Sequence, residues 1–177
     1  MKFLHIADLH IGFRQYNHQT RFEDFGTAFE KCVDLAIEES VDVCIIAGDL
    51  FHKASINPDT LLQAEKSLSR LLENRIRTLA IAGNHDRPRY GQRTTWLDYL
   101  VERGVITLLE SRSDNYVVEN ESYIDIEGVR FIGMPWYGGS TKPVLERMIE
   151  EFDDLSWKSI HYCVMMAHTS IEGQMPN

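Results

Sequence analysis

Residues 41–52 read "VDVCIIAGDLFH". Up to Gly48 the run is apolar and β-branched, as in a parallel-sheet strand covered on both faces. It stops at a glycine and releases Asp49 at once. Working outward, the same design recurs: "KFLHIA" (2–7) leads into Asp8-Leu9-His10, "TLAIAG" (78–83) into Asn84-His85-Asp86, and "IHYCVMMA" (160–167) into His168. Four strands each deliver a metal-ligand residue type at their C-terminal end, where the loops of an open α/β sheet converge on a crevice. Polar side chains at the border of a core are costly unless a partner or an ion satisfies them.

Helical patterns lie between these strands. Thr20 with Glu23 makes a capping box, and Phe22, Phe25, Phe29, Cys32 or Val33, and Ala36 recur at helical spacing, so a helix is expected over 21–39. Asn57-Pro58 opens a second helix with Leu61, Leu62, Leu68, Leu71 and Leu72 as its inner face. A third, near 93–103, stops at Gly104. Beyond 105 the pattern changes to short strands near 105–108, 115–119, 122–126 and 129–133, with Glu127-Gly128 as a hairpin turn, and then a helix over 141–152. The expected fold is α/β, a βαβαβα half followed by an antiparallel half whose sheet packs on the first.

The 177 residues suffice for one domain with a real core, and 44% hydrophobic and 25% charged residues form an ordinary globular balance. The start, "MKFLHIADLH", holds neither a signal peptide nor a membrane span, so a soluble, cytoplasmic protein is expected. Cys32, Cys44 and Cys163 are widely spaced among apolar neighbours and read as reduced core thiols. His5 and His161 read as structural histidines inside strands, and His18 as a loop residue. Eighteen Lys and Arg against 27 Asp and Glu give a net charge of −9, which excludes a broad polyanion-coating face.

The donor set at the strand ends is Asp, His, Asp, Asn and His, without a thiolate. It suits manganese, magnesium or iron better than structural zinc. Asp8 and His10, two apart, point the same way if the chain stays extended. Asp49, the sole carboxylate on the central strand, is placed to bridge two ions about 3.5–4 Å apart.

The motifs D-x-H (8–10), G-D-x-x (48–51), G-N-H-D (83–86) and the later lone His168 resemble those of the calcineurin-like metallophosphoesterases. "ADLHIGFRQYN", "AGDLFHKASINP" and "AGNHDRP" resemble more narrowly the archaeal and bacterial SbcD-type nuclease branch of double-strand-break repair. The resemblance implies a four-layer αββα sandwich with mixed sheets. It implies two divalent ions, Mn2+ foremost with Mg2+ as the alternative, the first held by Asp8, His10 and Asp49 and the second by Asp49, Asn84 and His168. It implies a DNA exonuclease or endonuclease working by in-line attack of a metal-activated water, with His85 as the catalytic imidazole, His52 beside the metals against the nucleotide, and Asp86 orienting His85. Its implied partners are DNA, a coiled-coil ABC ATPase, and a second copy met through the helices near 58–73 and 93–103, on a prokaryotic chromosome. The family also closes its site with a G-H-x-H motif, and residues 169–177 contain none. Residues 1–177 are therefore expected to be the N-terminal part of a nuclease domain, without its C-terminal part, capping domain and partner-binding tail, and to bind metal weakly and cleave little.

Arg14, Arg21, Lys53, Arg87, Arg89 and Arg93 fall in the loops that carry the site residues, so an acidic chain gathers positive charge there. Arg14, Lys53, Arg87 and Arg89 are the candidate phosphate contacts. Tyr16, Tyr90 and Trp96 are candidates for stacking on bases, with half-buried packing as the plainer fate. The rival readings are a small-molecule phosphodiesterase or nucleotidase on the same scaffold, and a non-catalytic scaffold. The intact ligand set weighs against the latter.

Overall fold

In the computed structural model, which describes residues 1–88, 90–110, 122–153 and 155–169, the opening stretch becomes β2 (Val43–Ala47), buried at every position. It runs parallel between β1 (Phe3–Ile6) and β3 (Arg77–Ile81), and β3 pairs in turn with the short β4 (Thr107–Leu108), giving the order β1-β2-β3-β4. A parallel sheet that grows in one direction through crossovers of one hand carries all its helices on one face. That is what α1 (Gln19–Glu38), α2 (Pro58–Glu73) and α3 (Trp96–Glu102) do, and it leaves the other face for a second sheet.

The second sheet contains β5 (Tyr123–Ile126), β6 (Val129–Met134) and β7 (Tyr162–Ala167) in that order, and α4 (Thr141–Asp153) covers its outer face. Period-two alternation sorts the core into layers. Cys44 and Ile46 face the three helices, Val43, Ile45 and Ala47 face the second sheet with Phe131, and Ile132 and Met134 face α4. Each fully buried Leu, Ile or Phe contributes about 1.5–3 kcal/mol. The layers are those of the αββα sandwich.

Several expectations change. β6 pairs antiparallel with β5 but parallel with β7, so the second half is mixed rather than antiparallel. Thr20 lies inside α1, whose N-cap is His18, because the helix starts two residues early and Gln19 bonds Glu23 at 3.1 Å in place of the capping box. On α2, Thr60, Ala64 and Ser67 face inward with Leu68 and Leu71, whereas Leu62 is 67% exposed and Leu72 lies open too. α3 starts at Trp96, because Thr95 and Asp98 form a reciprocal capping box there. Glu127 and Gly128, both at positive φ, make the expected tight turn. The strand expected over 115–119 lies outside the described residues. Cys44 is the buried thiol and burial pushes it up to about 12, but Cys163 is exposed on the edge strand β7. His5 is exposed on β1, and His161 precedes β7 and is also exposed.

Candidate metal and phosphoester site

The site grows from the end of the β1–β2 ladder. Past both strands the pairing continues: Asp8 N–H donates to the Gly48 carbonyl at 3.1 Å, His10 N–H to the Asp49 carbonyl at 3.0 Å and Ile11 N–H to the Leu50 carbonyl at 2.9 Å. Ile11, Leu50 and Phe51 are buried beneath this turn and anchor it. Asp8, His10 and Asp49 all sit in the left-handed region, at φ of 53°, 44° and 53°. The extended geometry expected for Asp8 and His10 is thus replaced by a pair of kinks, which still aim both side chains at one point. Asp and His tolerate this conformation better than most residues, at a cost of about 1–3 kcal/mol each. Strain of this kind persists only where the surroundings over-determine it.

Asp49 stands at the centre, 2% exposed. One carboxylate oxygen accepts the His85 backbone N–H at 2.9 Å. The other faces three imidazole Nε2 atoms, those of His168 at 3.6 Å, His10 at 3.8 Å and His85 at 4.0 Å. These separations exceed hydrogen bonds and suit ligands that share an ion. The His10 Nε2 is also 3.8 Å from the Asp8 carboxylate, and the Asn84 carbonyl is 3.2 Å from the His168 Nε2. Ligand atoms of Asp8, Asp49 and His168 can all lie within 4.8 Å of one another. A buried carboxylate ringed by imidazole nitrogens fits a divalent cation, because among the described residues no fixed positive charge lies at hydrogen-bond distance.

Backbone carbonyls set the imidazole tautomers. A carbonyl only accepts, so His168 donates Nδ1–H to Ala47 O at 2.8 Å and His85 donates Nδ1–H to His52 O at 2.7 Å, which leaves each Nε2 free toward Asp49. Asp86 does not orient His85. Its two oxygens accept the backbone N–H groups of Phe51 (3.0 Å), Leu50 (3.2 Å) and Gly83 (3.0 Å), and so tie the two site loops together. Burial pushes the Asp86 carboxyl above the usual range, opposed by the amides of Phe51 and Gly83. Burial likewise holds the His52 imidazole below its ordinary value, with His10 and His85 adding to the effect. Gly48, at φ +92°, and Gly83 are spacing requirements: a Cβ would strike the His168 ring at the first and Asp49 at the second.

Around this centre lie two open grooves. One, of about 360 Å³, runs from His52 past Arg14, Asn17 and Lys53. The other, of about 520 Å³, is lined by Asp86, Arg87, Arg93 and Trp136. Arg87 stacks over Trp136 with 5.5 Å between guanidinium carbon and ring centroid, and Arg14 lies 4.9 Å from the Phe22 ring. Arg21 belongs to α1 and pairs with Asp24, away from phosphate duty. Tyr16, 80% exposed, and Tyr90 are not half-buried but open, whereas Trp96 packs at the core edge. Arg89 lies outside the described residues. Phe13, whose ring lies 4.0 Å from that of His52, escaped the sequence reading, although "HIGF" placed it three residues after His10.

The chain belongs to the calcineurin-like phosphoesterase family, whose profile matches residues 1–174; the family uses divalent metals. Among curated proteins it is similar to the DNA double-strand break repair protein Mre11 of Archaeoglobus fulgidus (36% identity over 75% of this chain and 29% of that protein). It is also similar to the proteins of that name from Saccharolobus solfataricus (31%, over 99% of this chain and 43% of that protein) and Methanocaldococcus jannaschii (29%, 99% and 45%). The chain thus spans less than half the length of these relatives. Among the described residues no helix is long and apolar enough to cross a membrane.

Proposed function

We propose that this chain carries the metal-binding half-site of a DNA phosphodiesterase of double-strand-break repair. The observation that carries the reading is the convergence of Asp8, His10, Asn84 and His168 on the buried Asp49. Asp8, His10 and Asp49 would hold one divalent ion and Asp49, Asn84 and His168 a second, with Mn2+ favoured by the mixture of carboxylate, amide and imidazole donors. Ions held there supply Lewis acidity toward the phosphodiester and the attacking water.

The remaining steps fall to the chain's own residues. His85, held by the His52 carbonyl through Nδ1–H, presents Nε2 beside Asp49; in its imidazolium form it gives the Nε2 proton to the departing oxygen and is left as the neutral Nδ1–H tautomer. His52, packed against Phe13, lines the groove where Arg14 and Lys53 meet the phosphate backbone, and Arg87 on Trp136 lines the other. Asp86 acts through position, holding the two loops in register. The DNA substrate is supported by the Mre11 relatives and by these basic groove walls in an acidic chain.

Residues 1–177 read as the N-terminal part of a larger nuclease domain, acting in the cytoplasm with a coiled-coil ABC ATPase. A homodimer through α2 and α3 is supported by the exposed Leu62.

The test is hydrolysis of duplex DNA by the protein at the full length its reading frame encodes, titrated with Mn2+. Metal-dependent cleavage is expected, and His85→Gln should lower kcat by roughly 10²–10⁴-fold while keeping Mn2+ affinity. Equal cleavage in EDTA, or Mn2+ binding unaffected by Asp49→Asn, would overturn the reading.

A further inference from the structure

The site holds a second group of donors with a different chemistry. One ring nitrogen from each of His10, His52 and His85 can be chosen so that all lie within 4.8 Å of one another. The rings of His10 and His52 meet edge to face at 5.4 Å between centroids, and those of His10 and His85 at 4.9 Å. His85 is fixed by its Nδ1–H on the His52 carbonyl and presents Nε2. Among the described residues the Nδ1 atoms of His10 and His52 are buried without a hydrogen-bond partner. A buried nitrogen left in that state forfeits the solvation it had in water and does not hold its ring in place, so the rings of His10 and His52 can each turn a lone pair toward an ion beside the oriented Nε2 of His85.

Composition decides which ion. Asp8, Asp49 and Asn84 offer hard oxygens, which suit manganese and magnesium. Three neutral imidazoles are the set that binds zinc tetrahedrally with one position open, at about 2.0–2.1 Å per nitrogen. At nitrogen-rich sites affinity rises from manganese to zinc. Closing three nitrogens onto one ion needs spacings of about 3.3 Å, from tetrahedral geometry at those bond lengths. The two rings that must turn are those whose Nδ1 no hydrogen bond holds.

We propose that His10, His52 and His85 form a zinc site which shares His10 with the manganese position and therefore opposes it. The zinc site itself rests only on the three imidazoles, whereas the opposition rests on the functional reading given above. Zinc seated there draws His10 off Asp8 and Asp49, and it occupies the free Nε2 of His85.

The experiment uses the purified 177-residue chain. Zn2+ affinity is measured by chelator competition, Mn2+ affinity by the electron paramagnetic resonance signal of the free ion, and geometry by the visible spectrum of the Co2+ form. A tetrahedral Co2+ spectrum that Zn2+ abolishes is expected. His52→Gln should weaken Zn2+ binding by about 100-fold and leave Mn2+ affinity within about twofold, while Asp8→Asn should do the reverse, each loss being that of one ligand. Circular dichroism and the retained Mn2+ binding show that His52→Gln folds. A six-coordinate Co2+ spectrum, or equal Zn2+ affinity in wild type and His52→Gln, would overturn the proposal. Because no step measures hydrolysis, zinc binding of this kind by the 177 residues, together with no metal-dependent cleavage by the full-length protein, refutes the nuclease reading alone.

Discussion

Two buried charges in this molecule are handled in opposite ways. Arg130 on β6 is 4% exposed and its charge is paired by the fold: its guanidinium donates twice to Asp125 at 2.7 Å, and it lies between the faces of Tyr123 and Trp157 at 4.6 and 4.7 Å, with Nη1 alone unpartnered among the described residues. Asp49 is as deeply buried, yet among the described residues its outward oxygen is paired only with imidazole nitrogens, at 3.6–4.0 Å. A charge that the fold neutralises itself supports structure. A charge surrounded by lone pairs and left short of a cation is preorganised for a ligand.

Neutralising Asp49 attacks the difference most directly. Asp49→Asn should cut metal-dependent hydrolysis by roughly 10³-fold or more, yet raise the metal-free melting temperature, since an uncompensated buried charge is removed. Scanning calorimetry with and without Mn2+ checks both signs: the ion should stabilise the wild type, by about 2.7 kcal/mol at a hundredfold excess over Kd, and leave the variant unmoved. Gly48→Ala, which drives a methyl into the His168 ring, should lower Mn2+ affinity by roughly 10–100-fold, readable by calorimetric titration.

On the other side of the comparison, Arg130→Met should cost about 1–3 kcal/mol of folding stability in urea titration, without altering metal affinity. It stays at the low end because Asp125, once alone, is open enough to be hydrated. The smallest effect concerns pH. The hydrogen bonds from Arg130 hold the Asp125 carboxyl below its ordinary value of 3.8, so the pair's contribution is complete above that pH and fades as pH falls through the lower, folded value. Urea titrations between pH 5 and 3 should show a steeper acid loss in the wild type than in Asp125→Asn.

The candidate site was legible because each of its side chains follows an apolar run that ends at a strand terminus, and such a run with a polar residue behind it has few other uses. What escaped was whatever depends on backbone. The carbonyls of Ala47 and His52 that select the imidazole tautomers carry no letter in the sequence, and neither do the left-handed kinks at Asp8 and His10. Asp86, adjacent to His85 in sequence, bonds amides of the other loop because a turn sends neighbouring side chains apart. Helix faces were read less well than strand ends. Leu62 looks like core by type, but α2 turns Thr60, Ala64 and Ser67 inward with Leu68 and Leu71 and leaves that leucine in water.

His168 is the only described member of the cluster carried by the second sheet, and its ring already reaches across to the end of β2 through the Ala47 carbonyl. An ion gripped there would act as a rivet through the sandwich, resisting any sliding of one layer over the other. Loading the cation would then stiffen the whole body against shear, and protection of the β7 amides from deuterium uptake would report occupancy.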